Sequence, residues 1–467
     1  FARRAKHATL PCMSGGDPRK RDLTTGPVGG SLLKLSLPMV WGIMAIMSFQ
    51  LADAFFVARL GTESLAALSF TFPVTLVMFN LLLGLTIGMT SALSRIYGRN
   101  DPEAARRVAT HGMAVALIYA ICFAVIGMLV MRPVFAAIGV PDSMMGDVVG
   151  YMQIWFWGSV FLTVPLTANG VLRAGGDTVT PALIMTGVAL ANVVIDPLLI
   201  FGIGPFPRME LQGAAAATLA GNAVALSAAL IILFRRGLVR AEYLRDLSLL
   251  KDSAARVLMV GVPAGVGQTI IPLTHAVVTA LIAGYGAQAV AGYGIVTRIE
   301  AFGLVVVMAL SAGMAPFTGQ NWGAGRVARV ERGLTLAFRF VMIWGLGLAA
   351  VLMAGHEFIP RLFTEDPEVI RVAGLFLLIV PLSFGPASLV IITASVFNAM
   401  GLAQRSLFML LGKAFVLYIP MAWLGSRIIG IEGIFAAYFI SNTVAGFGFY
   451  LWNRAVCQRH KHLHDSA

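Results

Sequence analysis

Two aspartates, Asp53 and Asp196, lie inside long apolar runs of this sequence, and of all its residues they are best placed to do chemistry there. On insertion scales an aspartate within a bilayer span costs about 2.5–3.5 kcal/mol, so a carboxylate in such a run points to a functional use. Asn192 precedes Asp196 by four residues, which stacks both side chains on one helix face. Pro197 cannot donate a backbone hydrogen bond, so the Val193 carbonyl loses its helical partner and becomes a further oxygen available to a ligand or to water. A helix that starts at Thr180 and Pro181 carries Asp196 about 22 Å along its axis, and one that starts at Gln212 carries Thr218 about 9 Å from the opposite side. Asp53 lies far along a run that starts on the same side as that of Asp196. Asp53, Asn192, Asp196 and Thr218 thus fall at similar depth. Their oxygens suit protons exchanged by the carboxylates, or a hard cation such as Na⁺, and the residue types leave both readings open. For Asp53 the plainer alternative is an interfacial residue that answers Arg59.

Five further polar positions are candidates for lining a cleft: Gln50, Asn169, His275, Arg298 and Glu300. Arg298 and Glu300 are two residues apart, so on a helix they project from different faces and do not neutralise each other. His275 titrates near neutral pH if it is accessible, although a lone histidine among apolar residues is more often hydrogen-bonded packing. The 22 methionines offer a pliable surface for varied solutes, or ordinary packing.

The elements that must position these residues are membrane helices. The chain is 58% hydrophobic and 12% charged, about half the charge of an ordinary soluble domain. Runs long enough to cross a hydrocarbon layer about 30 Å thick recur twelve times. They lie near residues 31–57, 66–92, 108–131, 151–172, 181–203, 213–234, 257–284, 291–316, 333–355, 371–395, 406–427 and 431–452. A stretch such as Ala114 to Met131 is apolar on every face, which excludes the alternating strands of a β-barrel. Cys12, Cys122 and Cys457 are too scattered for a disulfide framework or a zinc site. Residues 1–12 lack the apolar core of a signal peptide and are left out of the fold, since Met13 opens a more ordinary start.

The net charge of +12 has a topological explanation, and no nucleic-acid partner is needed for it. With loops assigned alternately to two sides, most Lys and Arg residues fall on the side that holds both termini. They include Arg95, Arg99, Arg106 and Arg107, the central group Arg235, Arg236, Arg240, Arg245 and Lys251, and Arg326, Arg329 and Arg332. By the positive-inside rule that side is cytoplasmic.

The sequence also repeats itself. A shift of 225 pairs Pro38 with Pro263, Gly61 with Gly286, Gly88 with Gly313 and Gly98 with Gly323, and later Val171, Ala174 and Gly176 with Val396, Ala399 and Gly401. The same shift pairs Gln50 with His275. A shift of 220 then pairs Gly213, Ala217 and Asn222 with Gly433, Ala437 and Asn442. The fold expected is an all-α polytopic membrane protein of twelve transmembrane helices, in two six-helix repeats of like orientation around a central cleft. Its parts are an N-terminal tail (1–30), an N-terminal bundle (31–234), a cytoplasmic linker (235–256), a C-terminal bundle (257–453) and a C-terminal tail (454–467).

The stretches GVLRAGGDTVTPALIMTGVALANVVIDPLLIFG (170–202) and LADAFFVARLGTESLAA (51–67) resemble the multidrug and toxic compound extrusion (MATE) family of cation-coupled antiporters. The likeness extends from about residue 30 to 453. It is closest to the DinF-like branch, which has its acidic site in the N-terminal half. The NorM-like branch also carries carboxylates in the seventh and tenth spans, whereas here Val257–Gly284 and Val372–Ser395 contain none. The resemblance implies export of organic, amphipathic cationic drugs or toxic metabolites by alternating access. The coupling ion would be H⁺ or Na⁺ at Asp53, Asn192, Asp196 and Thr218, with no other cofactor. It also implies a monomer in the bacterial inner membrane whose partners are a small organic solute and the bilayer. A flippase of polyisoprenoid-linked lipids shares this architecture but would need several basic residues in its cavity, for which only Arg298 stands out. An intramembrane enzyme would need a catalytic constellation that the runs lack.

The charge asymmetry makes a topological prediction. Reporter tags at either terminus and within 235–256 should read out on the cytoplasmic side, and a tag near Glu365 on the outer side. A terminus found outside would overturn the count of twelve spans.

Overall fold

The computed structural model describes residues 22–60, 62–246 and 248–465, and the expectations that fall on residues 1–21 and on Gly61 lie outside it. The helices, in chain order, are α1 (Val28–Ala58), α2 (Thr62–Gly98), α3 (Pro102–Ile138), α4 (Asp142–Ala174), α5 (Val179–Phe201), α6 (Glu210–Arg235), α7 (Leu250–Ala283), α8 (Ala287–Gly303), α9 (Val305–Gly323) and α10 (Val327–Ala354). They continue with α11 (Phe358–Arg361), α12 (Pro367–Ile379), α13 (Phe384–Ala399), α14 (Ala403–Leu411), α15 (Ile419–Ile429) and α16 (Ile431–Asp465). Eleven stretches among the described residues are long and apolar enough to cross a membrane. The α8–α9 pair, bent by 43°, makes the twelfth. The protein is therefore an all-helical, multi-pass membrane protein.

Local chemistry sets the helix ends. Asp101 caps α3 by accepting from the Ala104 amide at 2.9 Å, with Pro102 in the first turn, and Asp366 caps α12 in the same way through Glu368 at 2.9 Å. Gly139 and Gly202 close α3 and α5 in the left-handed conformation that a side chain disfavours. Three spans depart from the uninterrupted helices expected, and the tenth does so through a 3₁₀ turn, Pro381–Ser383, between α12 and α13. The eighth breaks after Gly303, whose carbonyl accepts from the Trp344 indole at 3.1 Å, an inserted side chain of the kind that kinks helices. The eleventh contains a π-helical segment, Gly412–Tyr418, between α14 and α15.

The two six-helix repeats meet through backbone contacts that are reciprocal. Gly88 of α2 packs against Val257 and Gly261 of α7, while its repeat mate Gly313 of α9 packs against Leu35 and Ser36 of α1, and Ser36 is the mate of Gly261 under the same shift of 225. Gly98 lies against the Gln320 carbonyl, and Gly323 lies against the Arg95 carbonyl. Arg95 and Gln320 are again a pair at 225. When residue i of one copy meets j of the other and j meets i, the copies are related by a two-fold axis. Here that axis runs along the membrane normal, as equal orientation of the halves requires.

This seam occupies the end of the bundle that bears both termini. Along α2 it runs from Gly98 to Leu81, which faces Gly265, and so covers the half of the helix nearer that end. Side chains reinforce it. Ser91 donates to the Asn398 carbonyl, Arg95 reaches the Met400 carbonyl at 3.5 Å, and Gln320 donates to the Ala174 carbonyl at 2.8 Å. The segment before α1 crosses to the other half, where Leu23 donates to Gln320 at 3.1 Å and Arg329 donates to the Gly26 carbonyl at 2.9 Å. On the same face Asp177, between α4 and α5, pairs with Arg236 at 2.8 Å. Burial raises the pKa of this carboxyl, but hydrogen bonds from Thr180 and Arg236 outweigh it and hold the group below its ordinary value.

A Cβ at Gly88 would collide with the Val257 carbonyl, and backbone cannot swing aside as a side-chain tip can. Gly88→Ala should therefore destabilise the purified protein by about 1–3 kcal/mol, the usual cost of overpacking. Gly187→Ala, which meets nothing within 4 Å, should leave the melting midpoint unchanged or slightly higher. Equal midpoints for Gly88→Ala and the parent would refute a tight seam.

Candidate functional site

Asp196 sits fully buried in α5, and among the described residues no donor reaches either of its carboxylate oxygens. One turn earlier Asn192 is also fully buried. Its Nδ2 donates to the Val188 carbonyl at 2.8 Å, which leaves Oδ1 buried without a donor. On α1 the Asp53 side chain buries Oδ1, again with no hydrogen bond. The two carboxylates lie within electrostatic reach of each other and of the buried Tyr151 phenol on α4. Arg59 lies over the Phe55 ring, 4.7 Å from its centroid, and Asp53 is left to Asp196. Four buried oxygens without donors among the described residues, three of them on carboxylates, form an environment that favours a cation.

The helices bring these groups together because small residues permit close approach. Gly213 of α6 lies against Leu199 and Ile200 of α5, and Gly221 lies against Asn192. This antiparallel register sets Ala217 level with Asp196 and Thr218 one residue on. The Thr218 carbonyl accepts from Asn222 at 2.9 Å. All four proposed coupling residues thus stand on three neighbouring helices. At 1.5 Å per residue, Asp196 lies about 25 Å from the terminal end of α5 and Tyr151 about 13 Å from the opposite end of α4. The cluster lies beyond the reach of the glycine seam.

The cleft candidates do not form one group. Gln50 is exposed on α1, one turn from Asp53. Asn169 is buried with Oδ1 lacking a donor, but it lies about 27 Å along α4 from Tyr151, next to Gly170, which packs on Thr86 of α2. Arg298 is exposed on α8, whereas Glu300 is buried and accepts from Tyr438 of α16 at 2.7 Å. His275 is hydrogen-bonded to Tyr293 at 3.1 Å.

Sequence reasoning missed two residues. Tyr151 carried no signal beyond a polar atom near the start of an apolar run. Lys413 carried a plain one, a lysine within the eleventh span, so Arg298 is not the only basic residue among the spans. Lys413 lies in the π-helical segment and acts electrostatically on Glu300 and His275.

The MatE family model matches this chain twice, over residues 38–198 and again over 263–424. The chain belongs to the MatE family. The two matches start 225 residues apart, the shift at which the sequence repeats. Among related proteins, this MatE chain is 37% identical to the FAD transporter of Shewanella oneidensis over 441 residues, 94% of the chain and 97% of that protein. It is 23% identical to the multidrug export protein MepA of Staphylococcus haemolyticus over 420 residues, 89% and 91% of the two chains. Of solved structures, an aspartate-to-asparagine variant of the Vibrio cholerae MATE transporter VcmN superimposes with a TM-score of 0.88 at 28% identity, covering 92% of this chain and 97% of that one. A Pyrococcus furiosus transporter of the MOP superfamily, described as having a binding pocket of reverse polarity, gives 0.87 at 25% identity over 94% and 98%. MatE membership makes the chain a membrane transporter for small organic solutes and not an enzyme.

The contact between Gly221 and Asn192 is open to test. A Cβ at Gly221 would overlap the Asn192 amide, so Gly221→Ala should displace the amide from the acidic pair. Transport driven by an ion gradient should fall at least tenfold, with membrane insertion unchanged. Unaltered transport would show that the amide position is immaterial.

Proposed function

We propose that this MatE chain is an antiporter that couples export of an organic solute to entry of H⁺ or Na⁺, with Asp53, Asn192, Asp196 and Thr218 as the coupling site. The observation that supports this most strongly is the Asp196 carboxylate, buried without a protein donor beside a second carboxylate. Two like charges in a medium of low dielectric repel strongly, and a proton or a sodium ion between them relieves that repulsion. With both termini in the cytoplasm, as the distribution of Lys and Arg argues, the glycine seam closes the cytoplasmic side and the acidic pair lies in the outer half. Cation entry from outside then weakens the hold on an organic cation, and rocking of one half against the other exposes the site alternately. The setting is the bacterial inner membrane, and the working unit is a monomer.

Amphipathic organic cations are the substrate class that an acidic site suits best. A second reading, export of a flavin dinucleotide, is supported by the 37% identity with the Shewanella oneidensis FAD transporter along nearly the whole chain.

Proteoliposomes loaded with ethidium or FAD, with pH and Na⁺ gradients imposed separately, test both readings. Asp196→Asn should reduce coupled efflux to background, and Asp53→Asn should impair it, while expression stays normal because losing a charge eases insertion. Ethidium affinity should fall as the pH drops through the range in which the aspartates take up protons, and Asp196→Asn should lose that dependence. Normal coupled efflux by Asp196→Asn would remove this residue from the mechanism.

A further inference from the structure

The C-terminal half carries a polar constellation that ion coupling at the acidic pair does not use. Lys413 stands ten residues into the span that starts at Ala403, about 15 Å from its terminal end and so near the middle of the membrane. A lysine at that depth is expensive, and intramembrane charges are generally paired. Among the described residues Lys413 makes neither an ion pair nor a hydrogen bond, and its side chain is half-buried, not sealed. Glu300 acts on it electrostatically but from beyond ion-pair distance, and its carboxylate is held by the Tyr438 hydroxyl at 2.7 Å. The nearby imidazole of His275 is engaged through Nδ1 by Tyr293 at 3.1 Å.

Aromatic rings line the contact between α16 and the π-helical segment that carries Lys413. Tyr438 is half-buried. It is backed by Tyr418, with centroids 5.0 Å apart, and by Phe376 at 6.2 Å, which in turn meets Tyr293 at 6.1 Å. The repeat sharpens the contrast between the halves. Val278 stands where the N-terminal copy has Asp53, Phe376 stands where it has Tyr151, and the span 403–429 contains no carboxylate. The N-terminal half therefore presents two acids, and the C-terminal half presents Glu300 and a lysine that has no ion-pair partner among the described residues, in a segment packed on the helix of Tyr438.

We propose that Lys413 and Tyr438 form a subsite for a phosphate-bearing planar aromatic solute, with the ammonium holding the phosphate and the tyrosine stacking on the ring. Each part has a physical basis: ammonium groups bind phosphate as point charges, and ring–ring stacking is tolerant of ring identity. The subsite rests on the transporter reading above, but not on where the coupling ion binds. A flavin nucleotide fits this chemistry better than a lipid headgroup, which carries no ring for Tyr438.

The test is equilibrium binding to the full chain in zwitterionic-lipid nanodiscs, with FAD, FMN and riboflavin as probes followed by flavin fluorescence. Lys413→Gln should weaken FAD and FMN at least tenfold and shift riboflavin, which has the ring but no phosphate, by less than twofold. Lys413→Arg should recover most of the loss. Glu300→Gln, which removes a negative charge near the phosphate, should tighten FAD. The proposal falls if Lys413→Gln weakens FAD and riboflavin alike, which would mark a packing role, or weakens neither. It also falls if the parent protein does not bind FAD, or if added phosphatidylglycerol displaces FAD from the parent as effectively as FMN does, which would mark a lipid site. Asp196→Asn should keep the preference for FAD over riboflavin. Failure of ion coupling would thus leave the Lys413 result standing, and failure at Lys413 would leave the coupling site standing.

Discussion

The reciprocal contact between α2 and α7 on one side, and α9 and α1 on the other, is the constraint on which the rest of the molecule depends. In lipid no hydrophobic force drives one helix onto another, so two bundles are held by close backbone packing and hydrogen bonds. Gly88 against Gly261 and Gly98 against Gln320 supply the first, while Ser91, Arg95 and Gln320 supply the second. Because the contact occupies only the terminal half of α2, it fixes the halves at one end and leaves the polar groups of the other end outside it.

That division gives the charges their meaning. A buried carboxylate with no donor among the described residues is costly in a rigid core, and a second carboxylate acting on it raises that cost, which is the physical ground for proposing a cation there. Lys413, on the opposite copy, lies in a segment packed on α16 and feels a glutamate that is already hydrogen-bonded. Two copies of one frame have thus acquired opposite electrostatic character. A solute with both a cationic or aromatic part and an anionic part meets different chemistry on each side.

Much of this was legible in the sequence. The twelve spans and the repeat follow from hydropathy and from identities at a constant shift, since helices are the simplest way to satisfy backbone groups in a bilayer. The similar depth of Asp53, Asn192, Asp196 and Thr218 could be anticipated from helix rise alone. What could not be read was lateral placement. Asn169 and Gln50 stood out only as cleft-lining candidates, and their contacts depend on how α4 turns against α2 and which face α1 exposes. Arg298 and Glu300 go to different environments, as a separation of two implies, but the partner of Glu300 is Tyr438, 138 residues away, which spacing does not announce. The break after Gly303 depends on Trp344, which no local pattern around residue 303 announces.

The π-helical segment at Gly412–Tyr418 bears on how the two copies came to differ. A π turn takes up one residue more than the α-helical turn it replaces, and such turns favour functional sites. The second family match is one residue longer than the first, and the segment lies within it. In a continuous α-helix one inserted residue would turn everything after it by roughly 100°, and a π turn takes up the extra residue locally so that the flanking helix keeps its facing. Lys413 and Tyr418 stand at the two ends of that local widening, in the span that takes the place of α5 in the second copy, so the repeat keeps its frame while its hydrogen-bond pattern differs where these side chains sit.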